Sequence, residues 1–445
     1  MIVTNLTRLP FPYLDFSLGA PVNFSTYIVH PPKRIWLLTI IILYFIIVNM
    51  YIRRLLSAEF NHAVPNFPSV LVTGPRQSGK TTFLLHEAGN EAAYISFDDP
   101  IERGFALKDP NGFLDRFGEQ KVILDEIQYV PEILPYLKIR IDRHRSRNGK
   151  WLLTGSQQFH LMKNVTESLA GRIAILELFP FSLLEMKQPQ KSSLETVIWN
   201  GGYPDPSLHP GKRDLWVRSY IQTYLERDVR QLQNIKDLRT FELFLGLSSA
   251  NHSREFNTAT LSRNIGVSLP TIKAWAGVLE ASFLCFFLLP YFRNYGKRLI
   301  KTPKMYYIDP ALVCSLTRQP DGDSALSGPM GGQLFEGLII SEAVKVFAMR
   351  GRRPDIFFWR SHDGLEVDLI IQIKSRLYPV EIKLTATPTL KHLEPLNRFK
   401  AIAGDDASKE GLLVCRVNKT TAMPNNNTAI PWCNFPEWLQ SKFSA

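Results

Sequence analysis

One stretch limits what this chain can fold into more than any other: Ser69-Val70-Leu71-Val72-Thr73-Gly74-Pro75-Arg76-Gln77-Ser78-Gly79-Lys80-Thr81-Thr82-Phe83. A short apolar run enters Gly74, four residues intervene, and Gly79-Lys80-Thr81 opens a helical pattern. This is the G-x-x-x-x-G-K-[ST] spacing in strand–loop–helix context. A loop of that length turns backbone N–H groups inward toward phosphate oxygens, and Gly79 permits the close approach. The following helix offers its N-terminal amides to the same anion. Lys80 is placed to reach the β- and γ-phosphates and Thr81 to offer its hydroxyl to Mg²⁺. Gly74, Pro75, Arg76, Gln77, Ser78 and Thr82 complete the candidate cradle for ATP. The plainer reading is a Gly-rich turn before a helix, and the strand that precedes the loop argues against it.

At 445 residues the chain exceeds one compact core, so two or three domains are expected. A net charge of +11 suits a polyanionic partner, nucleic acid or a membrane surface. Cys285, Cys314, Cys415 and Cys433 stand far apart, forming neither a disulfide framework nor a C-x-x-C pair. They point to a reducing, cytoplasmic setting. The nine histidines make no ligand cluster, so no structural zinc is expected.

Ile35 to Ile52 is eighteen residues without a charge, flanked by Lys33-Arg34 and Arg53-Arg54. That meets the minimum for a membrane span, which would anchor the chain to the inner membrane. Basic pairs on both sides leave its orientation open. The alternative is that Met50-Tyr51-Ile52-Arg53-Arg54 is the natural beginning and residues 1–49 are upstream sequence.

From Val70 onward apolar runs alternate with helical patterns, as in a parallel α/β sheet with crossovers. Strands are expected at 70–72, 93–97, 121–124, 151–154 and 173–178. Polar residues follow the carboxyl ends, where open parallel sheets bind ligands. Asp125-Glu126 ends the third strand: Asp125 is a candidate for the Mg²⁺ shell, and Glu126 for the general base toward water. Ser156, after the fourth strand, is a candidate contact to the γ-phosphate or the attacking water.

The set Gly74–Thr81, Leu124-Asp125-Glu126-Ile127-Gln128, Leu153-Thr154-Gly155-Ser156 and Leu169-Ala170-Gly171-Arg172 resembles the AAA+-like ATPases of bacteria and archaea. Leu178-Phe179-Pro180-Phe181-Ser182, Gly201-Gly202-Tyr203-Pro204 and Tyr224-Leu225-Glu226-Arg227-Asp228 extend the resemblance to about residue 415. It implies a P-loop ATPase module ahead of a C-terminal domain of uncharacterised function. In such proteins an arginine often completes a neighbouring subunit's site. Arg172 is the candidate, which implies a homo-oligomer, with a locally paired structural arginine as the alternative.

Residues 186–256 read as helical with a Pro/Gly-rich hinge at Asn200–Pro206. Residues 257–325 outline a helix-turn-helix with a wing. Ser268 caps its second helix, Thr271 and Lys273 lie on the exposed face, and Arg293, Lys297, Arg298, Lys301 and Lys304 follow. DNA contact through phosphates is one reading of this segment and a packing module the other. Residues 326–445 open with an amphipathic helix bearing Glu336 and Glu342, followed by two strands. Glu366, Asp368 and Ile370 are expected on one face of the first, Glu381 and Lys383 on one face of the second. The order resembles the PD-(D/E)-x-K nuclease core. That resemblance implies Asp368 and Glu381 as metal ligands, Lys383 as third member, and Glu336, or else Glu342, as the helix acid. Val367 stands where the motif has proline. The whole is thus read as 1–57 extension, 58–185 ATPase, 186–256 helical, 257–325 winged-helix-like and 326–445 nuclease-like. A protein-interaction switch with an unidentified partner is the rival to DNA cleavage.

Overall fold

The computed structural model describes residues 51–156, 165, 167–186, 192–224, 238–292 and 302–444. Most of the apolar stretch 35–52 lies outside them. So do Leu225–Asp228 of one family motif and the basic residues Arg293, Lys297, Arg298 and Lys301. Among the described residues no helix is long and apolar enough to cross a membrane.

Strands β1 (Ser69–Thr73), β2 (Ala93–Ser96), β3 (Val122–Asp125), β4 (Trp151–Gly155) and β5 (Ile173–Glu177) form a wholly parallel sheet in the order β2-β3-β4-β1-β5. Every strand falls within a residue of its expected bounds. The reason is legible in burial: β1, β3 and β4 are buried along their whole length. Such strands show as unbroken apolar runs because helices cover both faces. Alternation then divides the side chains. Leu71, Leu124 and Leu153 enter one core, while Val70, Val72, Ile123 and Leu152 enter the other. Helix α1 (Lys80–Ala88) follows the phosphate loop, and α2 (Leu134–Arg143) leads into β4.

The next segment is helical as expected, with helices at Leu194–Asn200, Pro204–Leu208, Arg213–Tyr224 and Leu238–Ala250. The expected hinge at Asn200–Pro206 is instead a packed knot. Gly201 has φ +67°, and a Cβ there would stand 2.1 Å from Asp309 Oδ1. The Gly202 N–H donates to Asp309 Oδ2 at 2.7 Å, and Tyr203 is buried with its hydroxyl 3.0 Å from that of Tyr220. The two glycines serve close approach, not bending.

Helices α3 (Thr258–Ile265) and α4 (Leu269–Ala281) flank the Gly266–Ser268 turn, and Ser268 caps α4 by accepting from the Thr271 N–H at 3.2 Å. The antiparallel strands β7 (Cys285–Pro290) and β8 (Lys304–Tyr307) follow, with β6 (Arg254–Glu255) beside β8. These strands do not form a separate small sheet. Parallel pairing of Leu289 and Pro290 with Phe357 and Phe358 joins β7 to β9 (Ile356–Arg360). Together with β10 (Glu366–Ile373), β11 (Arg376–Ile382), β12 (Gly411–Cys415), β13 (Thr421–Met423) and β14 (Asn427–Pro431) they build one nine-stranded sheet. The boundary expected at 325/326 is therefore crossed by backbone hydrogen bonds. A single apolar core runs from Phe179 to Leu439.

Helix α5 (Gly331–Ala348) corrects another expectation. It is not amphipathic: fifteen of its 18 residues are buried, Glu342 and Lys345 among them. A helix apolar nearly all round belongs inside a core. Its buried charges are tolerated because they pair at 2.9 Å, three residues apart.

Candidate functional site

The phosphate loop leaves the carboxyl end of β1 in a conformation that only particular residues accept. Gly74 has φ +141°, and a Cβ there would meet the Leu178 carbonyl oxygen at 2.3 Å. Gly79, with φ +91°, and Gln77, with φ +58°, are both left-handed. Lys80 is buried and folds back over the loop, its Nζ donating to the Gly74 and Pro75 carbonyls at 3.2 and 2.8 Å. Ser78 Oγ is buried without a hydrogen-bond partner, while Gln77 and Thr82 are exposed. A buried hydroxyl left unmatched carries an energetic cost that a phosphate oxygen would relieve.

Arg54, read from sequence only as the flank of an apolar stretch, is a buried brace beneath this loop. Its guanidinium donates to the Ser78 carbonyl at 2.9 Å and to the Phe179 carbonyl at 2.6 Å. It pairs with Glu185 at 3.0 and 3.3 Å. Glu185 in turn accepts from the Leu55 and Ser182 N–H groups at 2.8 and 3.1 Å. In a trans peptide the C=O and N–H point opposite ways. Fixing the Ser78 carbonyl toward Arg54 therefore fixes the Gly79 N–H away from it.

Asp125 ends β3, two strands from the loop, and three hydroxyls hold it. Thr81 Oγ1 donates to Oδ1 at 2.9 Å, Thr154 Oγ1 to the same oxygen at 2.5 Å, and Tyr94 to Oδ2 at 3.0 Å. Burial, with Asp125 beside it, pushes the Tyr94 phenol far above its ordinary pKa, so it remains a donor. Glu126 follows in a left-handed conformation, φ +56°. Such backbone strain, on the order of 1–3 kcal/mol, persists only where neighbours impose it. Here the Glu126 N–H donates to Thr154 Oγ1 at 2.9 Å, while Ser156 Oγ, at 3.2 Å, and Gln128 Nε2 both donate to its carboxylate. Gln128 Oε1 is buried without a partner. The fold thus brings Lys80, Thr81, Asp125, Glu126 and Ser156 to one sheet edge. Thr154, Tyr94, Gln128 and Arg54 join them without having been assigned there. Thr154 lies in the Leu153–Ser156 motif and Gln128 in the Leu124–Gln128 motif; Tyr94 and Arg54 carry no sequence signal beyond their residue type. The paired hard oxygens of Thr81 and Asp125 suit Mg²⁺.

Arg172 stands elsewhere. Its backbone carbonyl accepts from the Ser69 N–H at the amino ends of β1 and β5, the opposite edge of the sheet. Its guanidinium pairs with Asp142 at 2.8 and 3.0 Å.

Glu336, Asp368, Glu381 and Lys383, the residues expected from the resemblance to a nuclease core, form a second cluster. Lys383 bridges Asp368 at 3.0 Å and Glu381 at 2.6 Å, and the Ile382 N–H donates to Asp368 at 2.9 Å. Glu336 accepts from the Tyr306 hydroxyl at 2.6 Å and lies 3.4 Å from Lys304, which also pairs with Glu366. Burial and then Asp368 raise the pKa of both Glu336 and Glu381, the latter strongly. Burial alone would lower the Lys383 ammonium, but Asp368 and Glu381 together raise it. Glu381 Oε2 is buried without a hydrogen-bond partner. Among the described residues, however, no three His, Cys, Asp or Glu side chains stand as a metal-binding group.

Two expectations are corrected here. Glu342 does not join the cluster; it accepts from the Leu183 N–H at 2.8 Å and pairs with Lys345. Ile370 does not share a face with Asp368. A register shift between Val367 and Ile370 sends both of those into one core while Leu369 and Ile371 enter the other. One extra residue in a strand reverses the alternation beyond it.

Residues 66–187 match the AAA domain family, and residues 191–323 and 331–435 match two domains of unknown function, DUF8612 and DUF4143. The class defined by sheet, loop and match is an AAA-type P-loop ATPase module followed by a helical and a further sheet region. Uncharacterized proteins of Mycobacterium tuberculosis and Mycobacterium bovis are each 30% identical to this chain over 342 residues. The match spans 76% of this chain and 75% of theirs. The chain belongs to their family. A Walker-type ATPase of Pyrococcus abyssi is similar at 17% identity over 59% of this chain and 94% of its own, with a TM-score of 0.40.

Proposed function

We propose that this protein binds ATP with Mg²⁺ and hydrolyses it, and that its C-terminal half is a nuclease-like domain contacting DNA under nucleotide control. The observation that carries the first part is Asp125 held by Thr81 of the phosphate loop, with Glu126 beside it on the same edge. Thr81 and Asp125 would hold Mg²⁺, which would neutralise negative charge on the phosphates. The loop amides and Lys80 bind the phosphates and offset the charge on the leaving ADP. The Glu126 carboxylate, oriented by Ser156 and Gln128, takes a proton from the water that attacks the γ-phosphorus, giving ADP and inorganic phosphate. Arg172 of a second copy completes the site in this reading, in competition with its own Asp142 pair. Turnover and nucleotide affinity of two variants test it. Lys80→Ala is expected to lose both. Glu126→Gln is expected to keep affinity and lose turnover by about 10²–10⁴-fold. Full turnover in Glu126→Gln would remove its role.

In the nuclease-like domain, Asp368 and Glu381 are the proposed metal ligands, with Glu336 and Lys383 beside them; the unmatched Glu381 Oε2 supports this. A second reading, a protein-interaction switch without cleavage, is favoured by the Lys383 ammonium closing both carboxylates. Tethering through residues 35–52 belongs with that reading. Plasmid nicking in Mg²⁺ or Mn²⁺ separates the two: cleavage lost in Lys383→Ala supports the nuclease, and no cleavage under any nucleotide condition supports the switch.

A further inference from the structure

The amino edge of the ATPase sheet, opposite the nucleotide site, carries a cationic surface of which the proposed function uses Arg172 alone. Helix α2 and the turn after it read Lys138-Ile139-Arg140-Ile141-Asp142-Arg143-His144-Arg145-Ser146-Arg147-Asn148-Gly149-Lys150, six Lys or Arg against one acid. The turn ends at Trp151, the first residue of β4, which places it at the strands' amino ends. A cavity of about 210 Å³ opens there, with Arg140, Arg143, His144, Arg147 and Lys150 on its wall.

Local pairing only partly neutralises this surface. Arg140 binds Asp115 at 2.7 Å and Arg147 binds Glu119, while Arg145 at 3.3 Å and Arg172 at 2.8 Å share the one carboxylate of Asp142. Arg143 is exposed and has no ion-pair partner among the described residues. Lys150 lies 4.8 Å over the Trp151 ring and donates to the Gly118 carbonyl, and it has no ion-pair partner among the described residues. Partial burial, then Arg147 and Arg140, lower its pKa, as uncompensated positive charge would. The negative end of the α2 macrodipole accounts for Arg140 and Arg143 in its last turn. It does not account for Arg145, Arg147 and Lys150, which lie beyond the helix.

We propose that this edge is a binding surface for the phosphodiester backbone of a nucleic acid, separate from helix α4. Planar guanidinium forks meet phosphate oxygens two at a time, and Lys150 adds a point charge. The cations make a surface that fixes position without reading bases. The inference deepens the reading that the protein contacts DNA, by naming a surface that reading does not require.

The test is fluorescence anisotropy of a labelled DNA duplex with the full chain across a salt series. It compares wild type, the triple variant Arg143→Ser/Arg147→Ser/Lys150→Ser, Arg143→Ser alone, and Lys273→Ala on α4. The triple variant is expected to bind at least about ten-fold more weakly, with the slope of log K against log salt smaller by about 2 to 3, at about 0.9 for each phosphate no longer neutralised. Its DNA-free ATP turnover should match wild type. Arg143→Ser, which breaks no ion pair among the described residues, should lower the slope by about 1. Wild-type affinity and slope in both arginine variants overturn the proposal. If Lys273→Ala alone weakens binding, the α4 contact stands and this surface falls. A wild-type chain that does not bind the duplex overturns both.

Discussion

Replacing Arg54 with Met removes a group that ties three parts of the ATPase module together. The side chain would keep its apolar stem and lose two bonds to Glu185 and one each to the Ser78 and Phe179 carbonyls. Glu185, whose side chain is 1% exposed, would keep only its backbone donors. Breaking a buried pair from one side costs about 3–5 kcal/mol, because the other charge remains buried and uncompensated. A domain of ordinary stability has about 5–15 kcal/mol in all. The Arg54→Met chain is therefore expected to fold marginally, with its urea midpoint strongly lowered. Adding Glu185→Gln removes the stranded charge while leaving an oxygen for the Leu55 or Ser182 N–H. The double variant should recover at least about 1–2 kcal/mol relative to the sum of the singles, a coupling within the range for contacting residues. ATP affinity should stay low in the double variant, since nothing then holds the Ser78 peptide in place. Arg54→Lys should fall between, because an ammonium cannot span the four acceptors at once. A wild-type midpoint and wild-type ATP affinity in Arg54→Met would refute the reasoning.

Two further predictions concern other elements. His252 is wholly buried, accepts from the Tyr307 N–H at 3.1 Å, and burial pushes its pKa down to about 3. The unfolded chain takes up that proton near pH 6.5 and the folded chain does not. Stability from the neutral ring is therefore complete above pH 6.5 and lost as pH falls toward 3. Against His252→Asn, which preserves an acceptor, the wild-type advantage in unfolding free energy should shrink by about 2 kcal/mol from pH 6.5 to 5; a constant difference counts against it. Arg172→Ala should abolish ATP turnover and leave nucleotide binding intact if that arginine completes a second copy's site. Unchanged turnover would assign Arg172 to its Asp142 pair alone.

The parallel sheet and the phosphate loop were legible because both are local. Buried strands write themselves as apolar runs, and Gly74, Gly79, Lys80 and Thr81 have fixed spacing. Glu126 was legible through the strand that ends before it. What was not legible depends on partners far along the chain. Arg54 reaches Glu185, and the Gly201-Gly202 pair closes on Asp309; nothing near either in sequence announces the contact. The face assignment in β10 failed at Ile370 because a bulge adds a residue that no periodicity records. Helix α5 reads as amphipathic for a related reason: Glu336 and Glu342 suggest a wet face, yet Glu342 finds its counter-ion, Lys345, inside the core.

The strand pairing of β7 with β9 has a mechanical consequence. Helix α4 and the acids of β10 and β11 ride on one hydrogen-bonded platform, so neither can tilt without carrying the other. The offset between α4 and the Asp368–Glu381 pair is thus set by the sheet and not by a flexible joint. The same platform is tied to the ATPase module through α5, where the Leu183 N–H donates to Glu342 at 2.8 Å and Lys345 donates to the Phe181 carbonyl at 3.1 Å.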